Sequence, residues 1–492
     1  MRLLLLGICL LGAALRAVHL GHASLWLDEL TSWSLSHHAS LAEVLRDARH
    51  DFHPPGHLAI LYWTQRLFGD SEESLRLPSL VAGIASLPLL FALGKRLFNP
   101  RVGLLATAML AGSLAGVQYS REGRAYALLL CASIACGWSQ AVLLELLRAK
   151  RPMRTAPLLL AILSAAAACW LHYFGLYLVI LQGGFALLLC RRDRRALLWL
   201  LVADSAVFLL FLPWLPELWL SLQVGGSTWI QPPPASILLD EFKFFFNDST
   251  PLALCALLLI GARLVQLGRA AFRERRAPPG AELTLVLWLL VPLAIVFAYS
   301  RLVSPLLTLR NMLICAPAAY LLVAQAISAL LRGRARSVHA AALLIGLAMS
   351  AELIWKERYL DAEQEAWREV TAQVCAGTGA AERAPVLATV LTYPPKNRSP
   401  YPGRADYVAS ATLFDYYLGH LCPPQRVALQ ANSSDEFQRS LAAFERGPDR
   451  LLWYVWGHRT DPRFILTLRA QFMVRQEVEL ARAGVLLLER KP

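Results

Sequence analysis

Apolar runs of roughly membrane-crossing length recur along this chain, separated by polar linkers, and they stop near residue 355. A transmembrane helix needs about 20 largely apolar residues. The runs 3–20, 77–94, 102–118, 125–146, 156–171, 175–190, 196–214, 251–268, 282–300, 308–330 and 338–355 meet that need, and they predict eleven spans. The stretch 54–68 is apolar too, but it is short and contains His57, Gln65 and Arg66. It predicts an interfacial or re-entrant helix rather than a twelfth span. The first linker, about 21–75, is therefore long and partly helical. A second long linker, about 215–250, holds Gly225, Gly226, Pro232, Pro233, Pro234 and the aromatic run from Phe242 to Phe246.

Past residue 355 the pattern changes and charged residues return. The segments 386–391, 451–455 and 485–488 are short and apolar, as buried strands are, and helical patterns over 360–374, 434–445 and 462–471 alternate with them. The expected architecture is a mostly α, polytopic membrane domain over 1–355 followed by a small α/β domain over 356–492.

Composition agrees: 56% of the 492 residues are hydrophobic and 17% charged, against about 25% charged in an ordinary soluble protein. The formal charge of +13 does not argue for nucleic acid, because most of the excess lies in short linkers and alternates along the chain. One set of linkers holds Lys95, Arg96 and Arg101, then Arg148, Lys150, Arg151 and Arg154, then four arginines over 191–195; the opposite set is poorer, with Arg121, Arg124, Lys243, Arg301 and Arg310 among its few. Positive linkers stay in the cytoplasm. The N-terminus is then inside, and an odd number of spans puts 356–492 outside. The first 23 residues have the outline of a cleaved secretory signal, but Arg16 and His19 interrupt the run, which is taken as an uncleaved first span. Seven of the nine cysteines fall in apolar helices; Cys375 and Cys422 lie in the tail. In an oxidising compartment those two can pair, although the sequence does not show that they are close. No cysteine or histidine spacing of a metal site is present.

The residues that stand out chemically all fall in outer linkers. Asp28 and Glu29 follow the first span, and ionisable groups at the membrane edge are functional candidates. Two adjacent carboxylates cannot point the same way, so one is expected to face a cavity and the other to support it. The plainer reading makes the pair a cap for a helix starting near Thr31. Glu122, beside Arg121 and Arg124, is the third acidic candidate; the plainer reading there is a surface ion pair. His53 precedes two prolines, His172 and Tyr173 end another outer linker, and Arg310 precedes span ten. An arginine fork suits phosphate oxygens; the alternative for Arg310 is snorkelling to the headgroups.

In order along the chain, these motifs resemble the GT-C integral-membrane glycosyltransferases, in the branch of bacterial protein-mannosyltransferase-like and aminoarabinose-transferase-like proteins. The resemblance rests on Asp28-Glu29 after span one and on His53-Pro-Pro ahead of an interfacial helix. It continues through 68–72 (Phe-Gly-Asp-Ser-Glu), 75–79 (Leu-Arg-Leu-Pro-Ser), 94–98 (Gly-Lys-Arg-Leu-Phe), 119–126 (Tyr-Ser-Arg-Glu-Gly-Arg-Ala-Tyr), 172–175 (His-Tyr-Phe-Gly) and Arg310-Asn311 before Pro317. It implies sugar transfer at the outer face of the bacterial cytoplasmic membrane, from a polyprenyl-phosphate-linked donor to a lipid, glycan or protein acceptor. On this resemblance Asp28 carries the essential carboxylate, with Glu29 and Glu122 as further acidic site residues. His53, Arg121, Arg124, Tyr126, His172, Tyr173 and Arg310 are the expected substrate-binding residues. His53 stands where relatives carry a lysine near the donor phosphate, a departure that puts that contact in question. No cofactor is implied, and the family leaves a divalent metal open. The competing class is a lipid or lipid-linked-sugar transporter without transferase activity. It calls for inverted repeats and broken helices at the bilayer midplane, whereas the candidate residues here cluster in outer linkers and the predicted spans carry few charges, Asp204 in the seventh among them.

Overall fold

In hydrocarbon a backbone N–H or C=O has no water to bond, so each spanning segment satisfies its own polar groups as a helix. The computed structural model follows that rule over the apolar part of the chain. It describes all residues except 52, 225–229, 275–279, 356–364, 378–380, 392–414, 423–427, 432–433 and 481. The helices are α1 (Arg2–Ala17), α2 (Leu27–Ser36), α3 (Leu41–Asp47), α4 (Gly56–Phe68), α5 (Glu72–Leu97), α6 (Pro100–Ala111), α7 (Leu114–Gln118), α8 (Tyr126–Arg148), α9 (Thr155–Leu171), α10 (Tyr173–Leu189), α11 (Arg194–Phe211), α12 (Leu215–Val224), α13 (Ile237–Phe245), α14 (Thr250–Glu274), α15 (Gly280–Leu302), α16 (Ala316–Leu330) and α17 (Ala335–Trp355). Seven described helices are long and apolar enough to cross a membrane, or eight if the bent pair α6 and α7 is one span. The predicted spans 3–20, 156–171 and 175–190 fall on shorter helices, α1 of 16 residues and α9 and α10 of 17 each.

By its contacts the chain forms two compact units. The helical unit comprises Met1–Leu20, Phe52–Ile60 and Arg76–Tyr359; the sheet unit comprises Gly21–Asp51, Leu61–Leu75 and Leu360–Pro492.

In the helical unit the predicted span 102–118 is broken: α6 and α7 meet at 67°. The break exposes backbone groups that need partners. Asn247 supplies them, accepting from the Leu114 N–H (2.7 Å) and donating from Nδ2 to the carbonyls of Gly112 (3.2 Å) and Met349 (2.8 Å). Arg16, fully buried in α1, donates to the carbonyls of Leu110 (2.9 Å) and Ala111 (3.1 Å). Those are last-turn carbonyls of α6, which carry partial negative charge. The charge that interrupts the first apolar run is thus absorbed by a helix end.

In the sheet unit, α18 (Trp367–Cys375), β1 (Val386–Leu391), α19 (Asp415–Leu421), β2 (Ala428–Gln430), α20 (Ser434–Arg446), β3 (Leu451–Arg459), α21 (Pro462–Gln471), β4 (Phe472–Leu480) and β5 (Ala483–Arg490) follow in chain order. The five strands lie in the order β2-β1-β3-β5-β4, with β2-β1-β3 parallel and β5 antiparallel to both its neighbours. Strand side chains alternate between faces, and the sheet is covered on both. One face packs Val386, Trp453, Val455 and Val485 against Trp367, Val370, Val374 and Tyr417, and also against Leu25, Leu27, Leu30 and Trp33 of the first linker. The other packs Leu452, Tyr454 and Leu486 against Phe437, Leu441, Phe464 and Leu468 of α20 and α21. The three predicted strands and the helices at 434–445 and 462–471 are present. Helix 360–374 begins instead at Trp367; residues 360–364 of that prediction, like Gly225 and Gly226, lie outside the described residues. Strands β2 and β4 were not predicted. Cys375 and Cys422 form a disulfide, with Cα atoms 5.1 Å apart.

Candidate active site

The aromatic and cationic candidates converge in the helical unit. His172 caps α10, its Nδ1 accepting the Phe174 N–H at 3.1 Å. Two glycines allow the close approaches around it. A Cβ on Gly56 would lie 2.5 Å from the Trp170 carbonyl oxygen, and one on Gly175 would lie 2.0 Å from that of Ala168. The His53-Pro-Pro segment therefore packs directly on the end of α9, and the His53 ring stands 4.7 Å from the His172 ring. Tyr126, the first residue of α8, is buried and holds its ring 5.8 Å from His172 and 5.0 Å from Tyr119. The Arg310 guanidinium, on the 3-10 turn Leu309–Cys315, sits 5.6 Å from the Tyr126 ring centroid, within cation–π range.

The charges that act on His172 are positive. Burial first, then the charges of His53, Arg124, Arg310 and His57, hold the His172 imidazole well below its ordinary pKa. It is therefore neutral, and because Nδ1 accepts, the ring proton is on Nε2. That Nε2 is buried and has no hydrogen-bond partner among the described residues. A buried donor without a partner costs free energy unless a ligand completes it.

Arg124 and Glu122 lie within electrostatic reach of this cluster, Arg124 of His172 and Glu122 of Tyr119. Glu122 is buried, 4% exposed, rather than on the surface, and accepts from Gln118 Nε2 at 3.2 Å. The Arg124 carbonyl accepts from the Ser79 hydroxyl at 2.9 Å. Arg121 donates to the His19 carbonyl at 2.9 Å, and the Tyr173 hydroxyl accepts from Trp214 Nε1 at 3.2 Å. Asp28 and Glu29 belong to the sheet unit, in the first turn of α2. That helix starts at Leu27, four residues before the expected Thr31. Glu29 is buried and its Oε2 accepts from the Trp26 N–H at 3.3 Å, while Asp28 is half-buried. One carboxylate of the pair is thus spent on its own helix start.

Several residues went unnoticed in the sequence. Tyr119 and His57 were passed over as parts of larger motifs. Glu241 is fully buried on α13 beside Phe242, Phe244 and Phe245; neither carboxyl oxygen has a hydrogen-bond partner among the described residues. Burial, with Asp240 next to it, raises its pKa well above the ordinary value. It sits in the run Asp240-Glu241-Phe242-Lys243, where no spacing or motif singles it out.

Chemically, the cluster offers an arginine fork, a neutral imidazole donor and aromatic walls, a set suited to an anionic oxygen group. Among the described residues no group of three or more His, Cys, Asp or Glu is placed to hold a metal ion.

The family model described as dolichyl-phosphate-mannose-protein mannosyltransferase matches residues 52–216. The fold resembles ArnT from Cupriavidus metallidurans bound to undecaprenyl phosphate, at TM-score 0.59 and 13% identity, over 99% of this chain and 97% of that one. It also resembles the Archaeoglobus fulgidus oligosaccharyltransferase in complex with Zn and sulfate, at TM-score 0.53 and 12% identity, over 92% of this chain and 68% of that one. A search of curated proteins finds no match.

Proposed function

We propose that this chain, a multi-pass membrane protein with the GT-C glycosyltransferase fold, transfers a single hexosyl or pentosyl unit from a polyprenyl-phosphate-linked donor, with the donor phosphate held by the His53, His172, Arg124 and Arg310 cluster. It is a membrane glycosyltransferase, and its partners are the lipid-linked sugar and a lipid, glycan or protein acceptor. The observation that carries the phosphate assignment is the buried Nε2–H of His172, which has no hydrogen-bond partner among the described residues and lies in an aromatic-walled cluster with Arg124 and Arg310 acting on it. Undecaprenyl phosphate is bound by the Cupriavidus ArnT, and the same class of carrier is assigned here.

In this reaction the acceptor hydroxyl gives its proton to a carboxylate and attacks the anomeric carbon. The bond from that carbon to the phosphate oxygen breaks, and the lipid phosphate leaves with one more negative charge. Asp28 is the base, as the likeness of its motif to the family implies, and Glu29 beside it accepts from the Trp26 N–H. Arg310, Arg124 and the His172 N–H take up the growing charge on the leaving group. His53 stands beside His172 where a lysine would supply a permanent charge, so the phosphate contact here relies more on the arginines. Glu122 supports the acidic motif after the third span. The reaction takes place at the outer face of the cytoplasmic membrane, with the N-terminus in the cytoplasm and 356–492 outside.

Nothing in the structure favours the transporter alternative. The test is incubation of the purified protein with a panel of radiolabelled polyprenyl-phosphate sugars and membrane acceptors. Transfer of label supports the proposal; release of no label from any donor sinks it. A reporter fused after Pro492 is expected to work only outside the cytoplasm, and cytoplasmic activity would overturn the side assignments.

A further inference from the structure

Between α1 and α2 the chain runs without regular structure, so its backbone polar groups must find partners elsewhere. In the sheet unit those of residues 21–27 find them on α18, on the residues just before it, and on α19. Arg368 donates to the carbonyls of Gly21 and His22, each at 2.9 Å, and pairs through the same guanidinium with Glu72. The Ser24 hydroxyl accepts from the Arg368 N–H at 3.2 Å and donates to Glu369 at 2.8 Å. The Leu25 N–H donates to the Tyr417 hydroxyl at 2.6 Å, and that hydroxyl donates to Glu72. The Leu27 N–H donates to Glu365 at 2.9 Å, and Trp367 Nε1 donates to the same oxygen at 2.6 Å. The next residue is Asp28. The helices carrying Arg368 and Tyr417 are joined at their C-terminal ends by the Cys375–Cys422 disulfide.

We infer that Arg368, together with Glu365 and Tyr417, is a positioning residue for Asp28: the tail laces the acidic strap and fixes the backbone from which the base projects. The inference rests on the reading of Asp28 as the base. The lacing is specific in kind. Glu72 is 9% exposed as a side chain and Arg368 31%, so the fork spans a partly buried carboxylate and two carbonyls at once, which a lysine cannot reproduce. Catalytic geometry is sensitive to such support, since a shift of about 1 Å in a reacting group can cost on the order of 100-fold in rate.

The test uses the full-length protein in detergent. Hydrogen exchange of the amides at 22–28, undecaprenyl phosphate affinity, and turnover of the polyprenyl-phosphate sugar it accepts are measured for wild type, Arg368→Ala, Arg368→Lys and Tyr417→Phe. Arg368→Ala is expected to exchange the strap amides faster and to lose roughly 10- to 100-fold in turnover per folded molecule. Donor affinity is expected to stay unchanged, and Arg368→Lys to recover only part of the rate. Tyr417→Phe is expected to give the same split with a smaller loss, and it decides the matter if Arg368→Ala does not fold. A merely structural anchor lowers the yield of folded protein while each folded molecule keeps its turnover, and that result overturns the inference. Failure of the underlying reading shows elsewhere: Asp28→Asn at wild-type turnover removes the base assignment whatever Arg368 does.

Discussion

The two units treat their polar groups in opposite ways. In the sheet unit the strap leading to Asp28 has its backbone bonds met one after another by Arg368, Tyr417 and Glu365, and Glu29 closes on its own helix start. In the helical unit His172 keeps a buried N–H that has no hydrogen-bond partner among the described residues, with His53, Arg124, Arg310 and His57 acting on it. The difference suits the roles proposed for them, a base at Asp28 and an anion pocket at His172. A base needs a fixed backbone, whereas a binding pocket holds donors in place for a ligand to complete.

The largest expected effect breaks the acidic side of this comparison. Asp28→Asn is expected to lower transfer by roughly 10²- to 10⁴-fold, the usual contribution of a general base, while undecaprenyl phosphate still binds. Wild-type turnover in that variant would move the catalytic role to Glu29 or Glu122. Next comes the pocket. Arg310→Ala is expected to weaken undecaprenyl phosphate binding by about one to two decades, since a charge-assisted hydrogen bond contributes about 1.5–3 kcal/mol. Arg310→Lys should rescue only partly; full activity with lysine, alongside unchanged affinity with alanine, would leave snorkelling as the role of this residue. Glu29→Ala sharpens the contrast between base and support. It is expected to lose about 1 kcal/mol of stability with its hydrogen bond and to keep most of its turnover per folded molecule. A collapse in turnover without a fall in melting temperature would make Glu29 a direct participant.

The smallest effect concerns pH. Folded His172 stays neutral, whereas an unfolded imidazole takes up a proton below about pH 6.5. Below that value the unfolded state binds more protons, so stability falls as pH falls, by at most about 1.4 kcal/mol per pH unit from this residue. His172→Gln should therefore flatten the dependence of melting temperature on pH between 5 and 6.5. Identical slopes for wild type and variant would mean that the imidazole is protonated when folded.

Apolar runs were enough to mark the long helices and β1, β3 and β5, because segments buried on all sides are apolar throughout. Strand β4 escaped because it lies at the sheet edge and carries Arg475, Gln476, Glu477 and Glu479; β2, of three residues, is too short for any pattern. The break between α6 and α7 was invisible because its remedy, Asn247, comes from 133 residues further on.

The sequence by itself determined that the chain crosses a membrane many times, that a small α/β tail follows, and that acidic, histidine and arginine motifs fall at the edges of the apolar segments and in the linkers between them. Those conclusions depend on local composition and period, which act over tens of residues. Only the tertiary structure decided that His53, His172, Tyr126 and Arg310 share one cluster, that Glu122 and Glu241 are buried, and that Glu29 supports its own helix. It alone joined Cys375 to Cys422 and tied the tail to the strap before Asp28. Contacts between Arg368 and Gly21 or between Tyr417 and Leu25 cross well over 300 residues of chain, and no local pattern encodes a partner at that distance.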